Sequence, residues 1–574
     1  MNKAFKSIWS DARQSFVTTS EIQCSHGKRS KTSVSLGVAA VLLAAGGLAS
    51  AAYVETGVLG DKASWETAEY NYNWGLGAMN ASSAYALGFY GQNTTTGVMD
   101  SGAWLGNPDL DSPRITATHV TGVYGSTGNR YPQSIYATIQ KGVTPTAGEG
   151  QPFTEGEEFD VKGDYTLGLN DAHGTQVTGV IGAERNGEYG HGVAFKADVV
   201  VGNTGATDNN NYGPFQDYNY YFKGYKALAD AVNAGNGEYR GGMVNNSYGT
   251  NTKIYSSGGH RLTPDEMSDL LAGNGSYERA DAAYSVTFSG DYSFLGLDDV
   301  PGADQYSANP SAFEWEYMYF KLKYGDKPSF LDGAYDAVKG TNVILSWAAG
   351  NQDRGTPYLK GLYPYFHPEA EKNWLNAVGV MQTRGDNDQY MQATYCKAGL
   401  AKWWSMAGPT AYPGIGTTYV TNQLEDGRVT TTGFNGTSAS DPQISGAFTV
   451  LQSRYPSMTA IQVKDVMYTT ASHIGANGQP FTNWTAAEGT PDVIYGWGMP
   501  DLEKGMYGPG QFLDHFEYRL AEPLDVWSND ITEAGLQQRE KEDKAWMAAT
   551  KNGTDPDAGG EYTLGDDIVV LDGN

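Results

Sequence analysis

The chain is predicted to be an α/β protein built on a mainly parallel central sheet. Two observations carry this. First, several short apolar or β-branched runs each stop at Gly, Asn or Asp: TTTGVMD ending at Asp100, KADVVVGN ending at Asn203, GMVNN leading into Ser247, and NVILSWAAGN ending at Asn351. Apolar runs of this length without polar alternation are how strands buried on both faces read. Second, helix-like stretches lie between them, at 225–235 (YKALADAVNAG) and 333–340 (GAYDAVKG). Strands that alternate with helices form parallel sheets, whose carboxyl ends gather functional residues.

Long polar inserts rich in Gly, Asp, Ser and Tyr, at 103–165 and 250–330, separate these units. Structureless loops of that length are uncommon, so they are expected to be surface excursions with some local structure of their own. With 574 residues and 40% hydrophobic content the chain can bury a sizeable core. A formal net charge of −27 excludes general affinity for nucleic acid, whose phosphates need Lys and Arg to neutralise them. The two cysteines, Cys24 and Cys396, offer no zinc site. If the first is removed with a targeting segment, no internal disulfide is left and stability must come from packing.

Such a segment opens the chain. Lys28, Arg29 and Lys31 precede the apolar run 34–51 (VSLGVAAVLLAAGGLASA), which closes on the small residues Ala49, Ser50 and Ala51. Positive charge, an apolar stretch and an A-x-A cleavage pattern define a secretory signal peptide; the run is too rich in Gly and Ala, and too marginal in length, for a membrane span. About thirty residues stand ahead of it. Their order, Met1-Asn2-Lys3, then Ile8-Trp9, then Val17 to Glu21, resembles the extended signal peptide of Gram-negative autotransporters. The expected organisation is an extended signal peptide at 1–51, a mature N-terminal segment at 52–92, the main domain at 93–512, and a linker with the start of a β-rich stalk at 513–574.

Three blocks carry the chemistry. FNGTSASDPQISGAF places Ser438 at a helix N-terminus, where unpaired backbone N–H groups favour developing negative charge, which suits a nucleophile attacking a carbonyl. LNDAHGTQVTGVIGA places His173 at the start of a second helix, where an imidazole can accept and return a proton. TGVMDSGAW ends an apolar strand at Asp100, a carboxylate able to orient an imidazole. Taken singly, each has a bland reading: Ser as a helix cap, His as a structural residue, Asp as a turn former. Together, in the order Asp, His, Ser, they are a nucleophilic triad.

These blocks resemble the D-S/T-G, H-G-T-x-V and G-T-S-x-x-x-P signatures of the subtilases, and the resemblance spans most of residues 90–510. It implies a subtilisin-like three-layer fold and a secreted serine endopeptidase working through an acyl-enzyme. It further implies Asn351, in SWAAGNQD, as the side-chain donor of the oxyanion hole, and Ser247, Tyr248 and Gly249, in NNSYG, as the strand that pairs with the substrate backbone. Two departures stand out: Ala439 replaces the frequent Met after the nucleophile, and the blocks are spaced more widely than in small subtilases. Family members often carry structural calcium on acidic loops. The stretch 298–304 is a candidate here, with no metal ligand assigned and no cofactor required for the chemistry.

The block 496–512 (GWGMPDLEKGMYGPGQF) resembles the end of the protease domain in autotransporter serine proteases. Together with the leader it implies a passenger exported through the periplasm to the cell surface or beyond. Its partners would be protein or peptide substrates and an outer-membrane C-terminal barrel that this sequence does not contain. The order of the triad and the absence of G-x-S-x-G exclude an α/β-hydrolase, and no H-E-x-x-H is present for a metalloprotease. The remaining alternative is a catalytically silent passenger acting as an adhesin or binding module.

Overall fold

The apolar runs become strands because a buried peptide needs its hydrogen bonds met by neighbours, and a parallel sheet meets them while covering both faces. The computed structural model describes residues 53–126, 154–164, 172–204, 217–248, 327–351, 355–382, 395–410 and 433–508 (488 excepted), with Tyr390 and short strands elsewhere. Two compact units divide the chain, 1–52 and 53–574. In the first, Phe5–Ser10 pairs antiparallel with Ser15–Ser20.

In the second, the central sheet contains β1 (Thr95–Asp100), β2 (Ile115–Ala117), β3 (Asp198–Asn203), β4 (Gly242–Asn246), β5 (Val343–Ala348), β6 (Trp374–Gln382), β7 (Tyr390–Gln392) and β8 (Ser405–Pro409). Its order is β2-β3-β1-β4-β5-β6, with β8 added parallel to β6 and β7 the one antiparallel member. The register sets Val98 beside Val201 on one side and Asn245 on the other. After β1 the chain builds outward in one direction, to β2 and β3, and then returns to build β4, β5 and β6 in the other. The carboxyl ends of β1 and β4 therefore flank the point of reversal, where open α/β sheets form their crevice.

Side chains alternate across the pleat. Val98, Val199 and Val201 pack on α3 (His173–Gly182) through Val177, Val180 and Ile181. Met99 points the other way, into a core with Tyr225, Leu228 and Val232 of α4 (Tyr218–Asn236). Ahead of these, α1 (Trp74–Ala78) and α2 (Ala81–Ala86) occupy the N-terminal segment. Later, α5 (Phe330–Val338) packs on α4, α6 (Leu359–Phe366) on β6, and α7 (Thr437–Arg454) across several strands, buried from Thr437 to Gln452; α8 (Ala460–Thr469) follows.

The structure extends the helices beyond the stretches read from sequence. α4 begins at Tyr218 because the Asp217 side chain accepts from the Tyr220 N–H, and its buried Tyr221, Tyr225, Leu228 and Val232 form one apolar stripe that the Tyr-rich start conceals. α5 begins at Phe330 because Ser329 and Asp332 form a reciprocal capping box. The insert 103–165 supplies β2 at the sheet edge and a hairpin of His119–Val123 with Glu158–Lys162. The insert 250–330 contains antiparallel strands Ile254–Ser256, Ser276–Ala280 and Ser285–Ser289. Cys396 is buried and takes part in no disulfide among the described residues. The signal-peptide run 34–51, Gly249, the acidic stretch 298–304 and the tail 513–574 lie outside the described residues.

Candidate active site

β1 ends on Asp100, which is fully buried. The strand stops there because Ser101 leads into Gly102 at φ +86°, a turn conformation that favours glycine. Asp100 Oδ1 accepts from the Ser101 N–H at 2.7 Å and from His173 Nδ1 at 2.8 Å. A carboxylate only accepts, so Nδ1 carries the proton and Nε2 is left as the basic nitrogen.

Each residue of the H-G-T block touches the loop after β1. The Gly174 N–H, one of the donors left open at a helix start, is taken by Ser101 Oγ at 2.9 Å, and the Thr175 hydroxyl accepts from the Trp104 N–H at 2.9 Å. Glycine is required at 174, since a Cβ there would lie 2.1 Å from the Gly102 carbonyl oxygen. His173 is almost enclosed, with the Phe434 ring edge-on to it at 5.3 Å.

The G-T-S block turns at Gly436, φ +83°, and starts α7 at Thr437, which makes Ser438 the second helical residue. The Ser438 hydroxyl donates to the Ser247 carbonyl at 2.7 Å. Asn351, just beyond the carboxyl end of β5, is anchored by its carbonyl: Oδ1 accepts from the Thr437 N–H at 2.8 Å and the Thr437 hydroxyl at 2.9 Å. That hydroxyl accepts in turn from the Gly350 N–H at 3.1 Å. With Oδ1 committed to the helix start, the Asn351 NH2 is the end left to donate.

The structure thus brings Asp100, His173, Ser438, Asn351 and Ser247 to the carboxyl ends of the central strands β1, β4 and β5. Tyr248 is buried, and its hydroxyl shares a hydrogen bond of 2.6 Å with that of Tyr225. Gly249 is not among the described residues.

Two contributors were not singled out from sequence. Phe434 left no signal beyond its place before the G-T-S block. Asp441 had one: it is the single charged residue between Gly436 and Phe448. It is fully buried, and desolvation pushes its carboxyl up to about 7 despite hydrogen bonds from Ser346, Asn246 and Ser247. Among the described residues, no group of three or more His, Cys, Asp or Glu side chains is arranged to hold a metal ion.

Residues 91–498 match the model of the Subtilase family, and residues 1–50 match that of the Extended Signal Peptide of Type V secretion system. Similar curated proteins include the Serotype-specific antigen 1 of Mannheimia haemolytica, 32% identical over 34% of this chain and 19% of its own length. An Extracellular serine protease of Serratia marcescens is 24% identical over 81% of this chain and 36% of its own. The Neisserial autotransporter lipoprotein NalP of Neisseria meningitidis serogroup B is 24% identical over 30% of this chain and 15% of its own. The matches thus span little more than a third of these relatives at most.

Proposed function

The chain belongs to the subtilase family, and from that premise we propose that it is a secreted serine endopeptidase in which Ser438, His173, Asp100 and Asn351 perform the reaction. The observation that carries the proposal is the 2.8 Å bond between Asp100 and His173 at the carboxyl end of the sheet, where Ser438 rests on the Ser247 carbonyl. The Ser438 oxygen attacks the scissile carbonyl carbon while Nε2 of His173 takes its proton, and the carbonyl π electrons move onto the oxygen. The Asn351 NH2 and the Ser438 N–H stabilise that oxyanion. Collapse expels the amine, which takes the proton from His173 and leaves an acyl-enzyme; water then repeats the sequence and frees Ser438. Asp100 holds the ring and offsets the charge of the imidazolium.

For the first step the Ser438 hydroxyl must leave the Ser247 carbonyl and turn toward His173. A peptide laid along Ser247, Tyr248 and Gly249 would add as a strand.

The chain is an exported protein of a Gram-negative bacterium, secreted or held at the cell surface, as its extended signal peptide and extracellular relatives show. Passage of the outer membrane through a C-terminal barrel belongs to the proposal, supported by the signal-peptide match and the autotransporter relative. The domain limits 93–512 and 513–574 are proposed on the same footing.

Labelling with a fluorophosphonate serine reagent tests the reading. The native protein is expected to label and to cleave peptides, and Ser438→Ala to do neither. A native protein that does not label, or a Ser438→Ala protein that still does, overturns it.

A further inference from the structure

Beneath the proposed site lies a buried carboxylate to which the reaction assigns no task. Asp441 follows Ser438 by three residues, so both lie on one face of the first turns of α7. Its Oδ1 accepts from the Ser346 hydroxyl of β5, the strand that leads to Asn351. Its Oδ2 accepts from the Asn246 backbone N–H at 3.3 Å, and the Ser247 side chain donates to it as well. Asn246 also reaches across β5, its Nδ2 donating to the Ser346 carbonyl at 2.9 Å. One carboxyl therefore joins the nucleophile helix, the strand end bearing the acceptor of the Ser438 hydroxyl, and the strand feeding the oxyanion donor.

We propose that Asp441 is a positioning residue that locks the Asn246–Ser247 peptide against the start of α7 and does so only as the carboxylate. The proposal rests on the serine-peptidase reading above. The reason is the donor set: two hydroxyls and one backbone N–H converge on it, and only the ionised form accepts from all of them. Protonation removes the charge that strengthens all three bonds and takes a lone pair from one oxygen. The Ser346 and Ser247 hydroxyls can turn to accept, but the Asn246 N–H can only donate, so the Asn246–Ser247 peptide is held less firmly and with it the Ser247 carbonyl. The titratable groups that face it are the Asp100 carboxylate, which disfavours its ionisation, and the Tyr225 phenol. Burial pushes its ionisation up to about 7.

The test is the pH dependence of kcat/KM on a peptide substrate, per active site titrated with the fluorophosphonate, for the native chain, Asp441→Asn and Asp441→Glu. In the native chain two protons must leave before the site is competent, one from His173 and one from Asp441, so the acid limb approaches a slope of about two. Asp441→Asn is expected to show a slope of about one and to lose roughly tenfold in kcat/KM at high pH, the effect of one buried charge-assisted hydrogen bond. Asp441→Glu keeps an ionisable group and restores the steeper limb. A native slope of about one, or an Asp441→Asn variant equal to the native chain at every pH, overturns the proposal. A native chain with neither labelling nor turnover removes the peptidase reading and this proposal together; an active one with the shallow slope removes this proposal alone.

Discussion

Two buried polar clusters flank the sheet and handle charge in opposite ways. In the first, Arg185 is sunk beneath the N-terminal segment. Its guanidinium donates to Glu55 at 3.1 Å, the Tyr53 hydroxyl at 3.1 Å, the Trp65 carbonyl at 3.3 Å and His191 Nε2 at 3.1 Å, and lies 5.3 Å from the centre of the Trp65 ring. His191 stays neutral there: burial, with the Arg185 charge beside it, holds its pKa down at about 3. In the second, Asp100 and Asp441 are buried with His173 and neutral donors around them. The first answers a cation with a carboxylate and aromatic faces, and so fastens residues 53–65 to the body. The second surrounds two carboxyls mostly with neutral donors, which orients the side chains around the nucleophile rather than fastening segments together.

The comparison can be broken at its strongest point first. Asp100→Asn keeps the shape of the site but favours the wrong tautomer of His173, and kcat is expected to fall about 10⁴-fold with little change in melting temperature. A loss within tenfold would mean that the buried carboxylate is structural, like Arg185. Asn351→Ala removes a donor needed only once the oxyanion forms, so kcat is expected to drop about 10²- to 10³-fold while KM moves little. Steady-state kinetics showing a change confined to KM would place Asn351 in substrate binding instead.

The clamp predicts the reverse pattern. Arg185→Met keeps much of the packing but loses the hydrogen bonds; because Glu55 is more than a third exposed, solvent takes that partner back. Chemical denaturation is expected to show a loss of about 2 kcal/mol, with unchanged turnover per titrated site. A fall in turnover would join the two clusters functionally.

The smallest effects are in pH dependence, where the clusters carry opposite signs. The unfolded chain binds a proton at His191 below its ordinary 6.5 while the folded one resists until about 3, so stability is lost as pH falls through that window. Asp441 is raised from 3.8 to about 7, so the folded state holds the extra proton and stability is lost as pH rises through that window. Between pH 4 and 6.5 the two contributions oppose each other, so thermal melts are expected to show stability rising with pH more steeply than in the native chain in Asp441→Asn, and shifting toward a fall with pH in His191→Gln. Parallel curves for all three proteins would show that neither group titrates as described.

The strand runs and the three motif blocks were legible because each is a local solution to a local problem. A parallel strand buried on both faces must be apolar along its length, and a Gly beside the nucleophile or the histidine is imposed by backbone contacts such as Gly174 against Gly102. The first seven residues of α4 were not legible, since Tyr-rich sequence hides which face is buried until the sheet covers it. Nor was β2, whose three residues become a strand only because β3 offers an open edge. Asp441 was visible as a charge in a run of small and apolar residues, yet its partners Asn246 and Ser346 lie 195 and 95 positions away.

By itself, the sequence determined the α/β class, the export signal and the residue types able to perform acyl transfer, because periodicity, composition and short motifs follow from forces acting within a few residues. Only the tertiary structure decided that the Ser438 hydroxyl rests on the Ser247 carbonyl, that Thr437 holds the Asn351 side-chain carbonyl, and that one carboxyl ties α7 to two strands. Hydrogen bonds of that kind depend on angle and on a few tenths of an ångström, and such distances exist only once the sheet has brought remote segments together.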